Sequence, residues 1–158
     1  STHGKDRWWE YNIVEPFIKM NPSDIAAGIG LAQIGKLDDL QAYRKKIWDI
    51  YQEAFRPVDW IETPLDADEA QGDKHSYFTY FIRVPKRDEM AKKLFDEGIY
   101  TTLRYHPLHL NPLYKSTAKL PNSEILNETG LNIPLHPSLS MDDVDQIIDR
   151  VKAFGNSL

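Results

Sequence analysis

Lys19-Met20-Asn21-Pro22-Ser23-Asp24-Ile25-Ala26-Ala27-Gly28-Ile29-Gly30-Leu31-Ala32-Gln33 decides how this chain is read. It is a polar turn that opens a helix of small and apolar residues. Ser23 is a good N-cap, Pro22 precedes it, and Asp24 sits in the first turn, where the helix dipole favours an anion. Ile25, Ile29, Ala32 and Leu37 follow at roughly helical spacing. Gly28, Gly30 and Gly35 each cost about 1 kcal/mol in a helix interior. Three of them imply close approach of another backbone or a ligand, with Gly35 as the break.

Outward from this run the chain divides into short elements. Before it, Ser1 to Pro22 carries Trp8, Trp9, Tyr11, Ile13, Val14 and Phe17, too many large apolar groups for a free tail. After it, Asp38 with Gln41 reads as a capping box. The helix it opens places Leu40, Tyr43, Ile47, Tyr51 and Ala54 on one face, with Arg44, Lys45 and Lys46 mostly outside. Pro57 to Lys74 is an acidic loop. Ser76 to Val84 is the best strand, apolar on both faces and so central in a sheet. Asp88 to Glu97 is a short helix burying Met90, Ala91, Leu94 and Phe95, and Gly98 supplies its stop.

Ile99 to Arg104 reads as a second strand, and Tyr105 to Pro121 as a Pro- and His-rich loop with some helix near Tyr114. Ser123 to Glu128 is a helix ended by Gly130, and Leu131 to Pro134 a short strand. Ser140 and Asp143 form a capping box for a last helix through Val144, Ile147, Ile148, Val151 and Phe154. The order gives an α/β class: helices packed on a small sheet.

Composition removes several function classes. The 158 residues are 41% hydrophobic and 27% charged, an ordinary balance for one globular domain. A net charge of -5 argues against a nucleic-acid surface. With no cysteine there is no disulfide framework, thiolate zinc site or cysteine nucleophile, which fits a cytoplasmic protein. No apolar run approaches the roughly 20 residues of a membrane span. A start at Ser1 without methionine reads as processed or trimmed.

Two places could carry chemistry. Arg104-Tyr105-His106-Pro107-Leu108-His109 follows a strand, where functional groups are common. Arg104 could clamp a phosphate through its planar fork, and His106 or His109 could handle protons or bond a sugar hydroxyl. The plainer reading is a Pro-rich connection whose histidines cap backbone groups, and spacing alone favours it. Metal is weaker still, because His106 and His109 have no third ligand. Asn21 precedes a helix start whose free N–H groups bind anions; spacing alone favours an asparagine that makes a local turn. His3, His75 and His136 read as structural.

Five ordered motifs resemble the DegT/StrS-type aminotransferases, which act on nucleotide-linked sugars. Lys19 to Gln33 resembles the family's YKYNM(S/T)DIQAAIGLAQ segment, and Ser1 to Gly4 its short His-Gly element. His75 to Val84 resembles a strand beginning H(S/A)(Y/W)H, with Phe78 where a second histidine is common. Gly98 to His109 resembles GIGT-x-VHY-x-PLH, with Arg104 in place of the commoner histidine. Asn132 to Ser138 resembles SLPLHP. The Thr-x-Arg-Tyr-x-Pro-Leu-His variant is similar to enzymes of dideoxy-type sugars.

The resemblance implies the C-terminal portion of a fold-type-I enzyme that uses pyridoxal 5'-phosphate. Residues 1–22 would be the tail of a large cofactor-binding domain, and 23–158 linking helices and a C-terminal small domain. It implies a homodimer with shared active sites, in which Asn21 reaches the cofactor phosphate of the partner subunit. Arg104, Tyr105, His106 and His109 would lie near the nucleotide-sugar substrate. The lysine that anchors the cofactor belongs upstream, so this segment holds no catalytic residue and would be inactive alone. The missing N-terminal half would complete an aminotransferase that moves an amino group from an amino acid, typically glutamate, to a keto nucleotide-deoxysugar. The rivals are a sugar dehydratase of the same family, in which that lysine is replaced, and a non-catalytic binding or regulatory fragment.

Overall fold

A computed structural model describes Glu15 and residues 21–158, the Ser157 side chain excepted. The aromatic segment before Met20, and the His-Gly element at Ser1 to Gly4, lie outside the described residues. The chain divides into two compact units, Ser1–Lys36 and Leu37–Leu158.

In the first unit, helix α1 spans Asp24–Ile34. Ser23 is extended, and its Oγ accepts the Ala26 N–H at 3.2 Å, as its residue type requires. Gly35 ends the helix, its N–H bonded to the Leu31 carbonyl at 3.3 Å. None of the α1 residues is buried, and Ile25, Ile29, Leu31 and Ile34 are all exposed. A Cβ added at Gly28 or Gly30 would meet nothing within 4 Å. Among the described residues, nothing makes the close approach expected from these two glycines.

The second unit begins with α2, Leu37–Phe55, followed by β1, Tyr80–Arg83, and α3, Arg87–Asp96. After these come α4, Pro121–Thr129, β2, Gly130–Ile133, and α5, Met141–Phe154. Short 3-10 turns stand at Glu69–Gln71, Leu108–Leu110, Pro112–Tyr114 and Gly155–Ser157. Helix α2 starts one residue before Asp38, so the expected capping box does not form. Asp38 is itself part of the helix, whereas a cap needs an extended residue. Asp38 and Asp39 instead lie in the first turn, facing the positive end of the dipole.

The buried stripe of α2 is Ile47, Trp48, Tyr51, Gln52 and Phe55, one face at helical spacing. Strands β1 and β2 pair antiparallel, Tyr80 opposite Ile133 and Arg83 opposite Gly130. Single bridges extend this sheet on both sides. Glu62 exchanges two 2.9 Å bonds with Arg83, and Thr102 exchanges bonds of 3.1 and 2.7 Å with Asn132. Strand β1 thus has a backbone neighbour on each edge, the central place expected of it. It is shorter than the Ser76–Val84 run because Tyr77 takes φ 46°, which breaks extended backbone.

Ile99 to Arg104 is not a strand: its pairing is confined to Thr102, where Asn132 also donates its Nδ2 to the Thr102 carbonyl at 3.1 Å. Tyr80 and Ile82 point into the core, and β2 is buried throughout. Met90 and Leu94 of α3 join Val144, Ile147, Val151 and Phe154 of α5 in that core. Phe95, expected inside, is 63% exposed. The Ser140–Asp143 capping box forms as its residue types dictate.

Asp66 ties the acidic loop to α2. Its Oδ1 accepts from Trp48 Nε1 at 3.0 Å and Gln52 Nε2 at 2.9 Å, and Oδ2 pairs with Arg56. The Trp48 N–H, then Arg56 and Gln52, hold the carboxyl below its ordinary 3.8. A depressed folded pKa adds stability above the unfolded value, and that stability is lost as pH falls through the folded one. Asp66→Asn should therefore flatten the acid limb of a melting-temperature profile below about pH 4; an unchanged limb would remove Asp66 from the account.

Candidate functional site

The site grows from the end of α3. Gly98, at φ 82°, turns the chain, and the Ile99 N–H returns to the Leu94 carbonyl at 2.8 Å. Thr102 is then fixed on β2, and Arg104 leaves the sheet two residues later. Its guanidinium carbon stands 5.0 Å from the ring centroid of Phe78, just before β1.

Arg104, Phe78 and Arg44 line a cavity of about 570 Å³, with Ile99, Leu135 and Ile147 on its apolar wall. His136, Glu97 and Asp143 also face it. Glu97 is drawn to Arg150, 3.6 Å away. Asp143 accepts the Ser140 hydroxyl at 2.7 Å and the Ser140 N–H at 2.8 Å. Those two bonds hold its carboxyl below the usual range, so it stays ionised, and His136 adds to the effect. Arg44 donates to the Tyr77 and Phe78 carbonyls across 3.4 and 3.5 Å, and among the described residues these long contacts are its only hydrogen bonds from the guanidinium. Among the described residues Arg104 has no hydrogen bond or ion pair; its contact is the Phe78 ring. An unpaired guanidinium beside an apolar wall suits an anionic group carried on a larger molecule.

A second cavity, of about 530 Å³, lies along α2 between Lys45 and Arg56. Both of its cations are engaged by acids: Lys45 bonds Asp49, and Asp66 is taken by Trp48, Gln52 and Arg56. It reads as structural.

The other sequence-chosen residues are placed differently. Tyr105 is 76% exposed and outside the cavity lining. His106 Nδ1 lies 3.2 Å from Asn127 Oδ1. The His109 side chain is nearly buried, its Nε2 3.0 Å from Glu124 Oε1. Glu124 also accepts the Leu120 N–H at 2.9 Å, and that bond, with His109 next, lowers its pKa. Both histidines therefore fasten the loop to α4, while Arg104 alone of the group joins the cavity. Asn21 belongs to the first unit, where it is exposed ahead of α1.

Sequence reasoning passed over Arg44 and His136 and took Phe78 only as a departure from a motif. Arg44 lies between Tyr43 and Lys45 with nothing in its spacing to mark it. Among the described residues no group of three or more His, Asp or Glu could hold a metal.

A family model described as the DegT/DnrJ/EryC1/StrS aminotransferase family matches residues 1–152. The spore coat polysaccharide biosynthesis protein SpsC of Bacillus subtilis (strain 168) is 35% identical, covering 91% of this chain and 39% of the relative. The dTDP-4-dehydro-2,3,6-trideoxy-D-glucose 4-aminotransferase of Saccharopolyspora spinosa is 29% identical, over 94% of this chain and 39% of its own. Among solved structures, the aminotransferase TlmJ of Streptoalloteichus hindustanus has a TM-score of 0.85 at 36% identity, covering 95% of this chain and 41% of that one. The PLP form of Spr1654 from Streptococcus pneumoniae has a TM-score of 0.81 at 30% identity, covering 94% and 40%. This chain spans about two fifths of the length of these relatives.

Proposed function

This chain belongs to the DegT/DnrJ/EryC1/StrS aminotransferase family, and from that premise we propose that it is the C-terminal part of a pyridoxal-phosphate enzyme. The complete protein would move an amino group from an amino acid, with glutamate as the first choice, to the keto group of a nucleotide-linked deoxysugar. The observation that carries this reading is a family match across nearly the whole chain. The Saccharopolyspora relative, whose name specifies a deoxysugar carried on a nucleotide, supports the substrate class.

The residues present suit one part of a cofactor site. With the Ala26 amide taken by Ser23, the amides of Asp24 and Ile25 lack intrahelical partners, and with the Asn21 carboxamide they offer donors to a phosphate. Asp24 in the same turn opposes an anion, so these donors fit a contributing contact and not a whole site. When bound, the cofactor would act as an electron sink for the amino group's carbon. Asn21 would steady its phosphate, and α1 would be lent to the neighbouring subunit of a homodimer. An all-round apolar helix with no buried residue supports that arrangement. Residues 1–22 then belong to the large domain, and 23–158 to linking helices and the small domain.

Arg104 would meet the nucleotide-sugar substrate, and Tyr105, His106 and His109 would shape the loop that carries it. Among the described residues no helix is long and apolar enough to cross a membrane, and the cytoplasm is the proposed location. The anchoring lysine is expected before Ser1; its replacement there would favour the dehydratase instead.

The donor half of the reaction tests this reading. The complete protein, loaded with pyridoxal phosphate and given glutamate, should convert the cofactor to pyridoxamine phosphate, measured by chromatography. No conversion with any amino acid would contradict it.

A further inference from the structure

The two positions at which the sequence departs from its family's histidines, Phe78 and Arg104, are in contact. Tyr77 explains why. It sits at φ 46°, a region that bulky L-residues avoid. Two features hold it there: its N–H donates to His75 Nδ1 at 2.8 Å, and its ring packs 5.5 Å from Trp48 and 4.8 Å from His75. The turn ejects Phe78 from the core, leaving it 54% exposed two residues before β1. An exposed phenylalanine gains little there as packing.

Its ring takes the Arg104 guanidinium at 5.0 Å. Such a contact is not a conventional hydrogen bond, so the guanidinium keeps N–H groups to offer to oxygens. Arg44, also on the cavity, bonds the Phe78 carbonyl at 3.5 Å. The facing acids, Glu97 and Asp143, oppose an anion but are engaged by Arg150 and Ser140. The cavity of about 570 Å³ is far larger than a lone carboxylate needs and lies within the range of small-molecule sites.

We propose that Phe78 is a positioning residue, holding Arg104, with Arg44 as a second cation, to receive the diphosphate of the nucleotide-linked substrate. This rests on the reading of the complete protein as a nucleotide-sugar aminotransferase. The amino donor's carboxylate is the competing source of negative charge, and the test separates the two.

The complete enzyme would be compared with Phe78→Leu, Phe78→Tyr and Arg104→Lys by kinetics and by calorimetric binding of dTDP and UDP. Phe78→Leu should raise KM for the nucleotide sugar about tenfold. It should weaken whichever diphosphate the wild type binds by a similar factor, with kcat and the KM for glutamate held within about twofold. Phe78→Tyr should restore both values, because the ring face is kept. Arg104→Lys should behave like Phe78→Leu, since a point charge loses the planar fork.

Unchanged diphosphate affinity in Phe78→Leu would overturn the proposal. So would a rise in the glutamate KM instead, failure of the Tyr variant to rescue, or an active wild type that binds neither diphosphate. A wild type that binds a diphosphate through Phe78 but never transaminates would sink the functional reading and leave the receptor standing.

Discussion

Trp48→Ala is expected to destabilise the second unit by about 3–5 kcal/mol, the range for removing a large buried aromatic. Trp48 is 2% exposed and touches Tyr80, Tyr77 and His75, with ring centroids 4.9, 5.5 and 4.5 Å away. Its loss leaves a cavity between α2 and the sheet. It also removes the N–H that holds Asp66, so the acidic loop loses one of its ties to α2. The Tyr77 turn loses a wall as well, and with it the support of Phe78. Denaturant unfolding of the complete protein checks the figure. A loss below about 1 kcal/mol would mean that the core does not close around this ring.

Gly130→Ala ranks second, with an expected cost of about 1–3 kcal/mol from overpacking. Gly130 joins α4 to β2, and its backbone conformation is one any residue adopts (φ -84°, ψ 142°). The demand is for space. An added Cβ would lie 2.5 Å from the Leu126 carbonyl oxygen and would run into the ring of Phe81. The ring can swing aside; the carbonyl cannot without loosening the last turn of α4, because it accepts the Gly130 N–H. The same shift would disturb the pairing of Gly130 with Arg83. The melting temperature of the variant in the complete protein tests this, and an unchanged value would contradict the tight junction.

Where local chemistry acted alone, the sequence was a sufficient guide. The Ser140–Asp143 box, the Ser23 cap and the stop at Gly98 each depend on one side chain or one glycine and its nearest backbone, and each stands where expected. The stripe of α2 was legible from its period, though Trp48, Gln52 and Phe55 replace Leu40, Tyr43 and Ala54 as its buried members. The Ile99–Arg104 segment was not legible. Its residues favour a strand, but a strand is made by its partner, and β2 offers Thr102 one bridging residue. Asp38 has the chemistry of a cap, but α2 begins one residue before it, at Leu37, and takes it into the first turn.

The site was half legible for the same reason. Arg104 could be chosen by chemistry, yet its setting depends on Phe78, 26 positions away in sequence, and on a turn at Tyr77 that no periodicity signals. His106 and His109 share the loop with Arg104, but side-chain partners on α4 draw them elsewhere. The family motifs supplied what residue chemistry could not, the identity of the substrate class expected at that cavity.

The most direct test follows the nitrogen. The complete protein, with pyridoxal phosphate, glutamate labelled with heavy nitrogen and a keto nucleotide-deoxysugar such as a dTDP-linked one, should yield an amino sugar that carries the label, seen by mass spectrometry. An unlabelled product that has lost a hydroxyl group would make the protein a dehydratase, and no turnover of any keto nucleotide-sugar would contradict the account altogether.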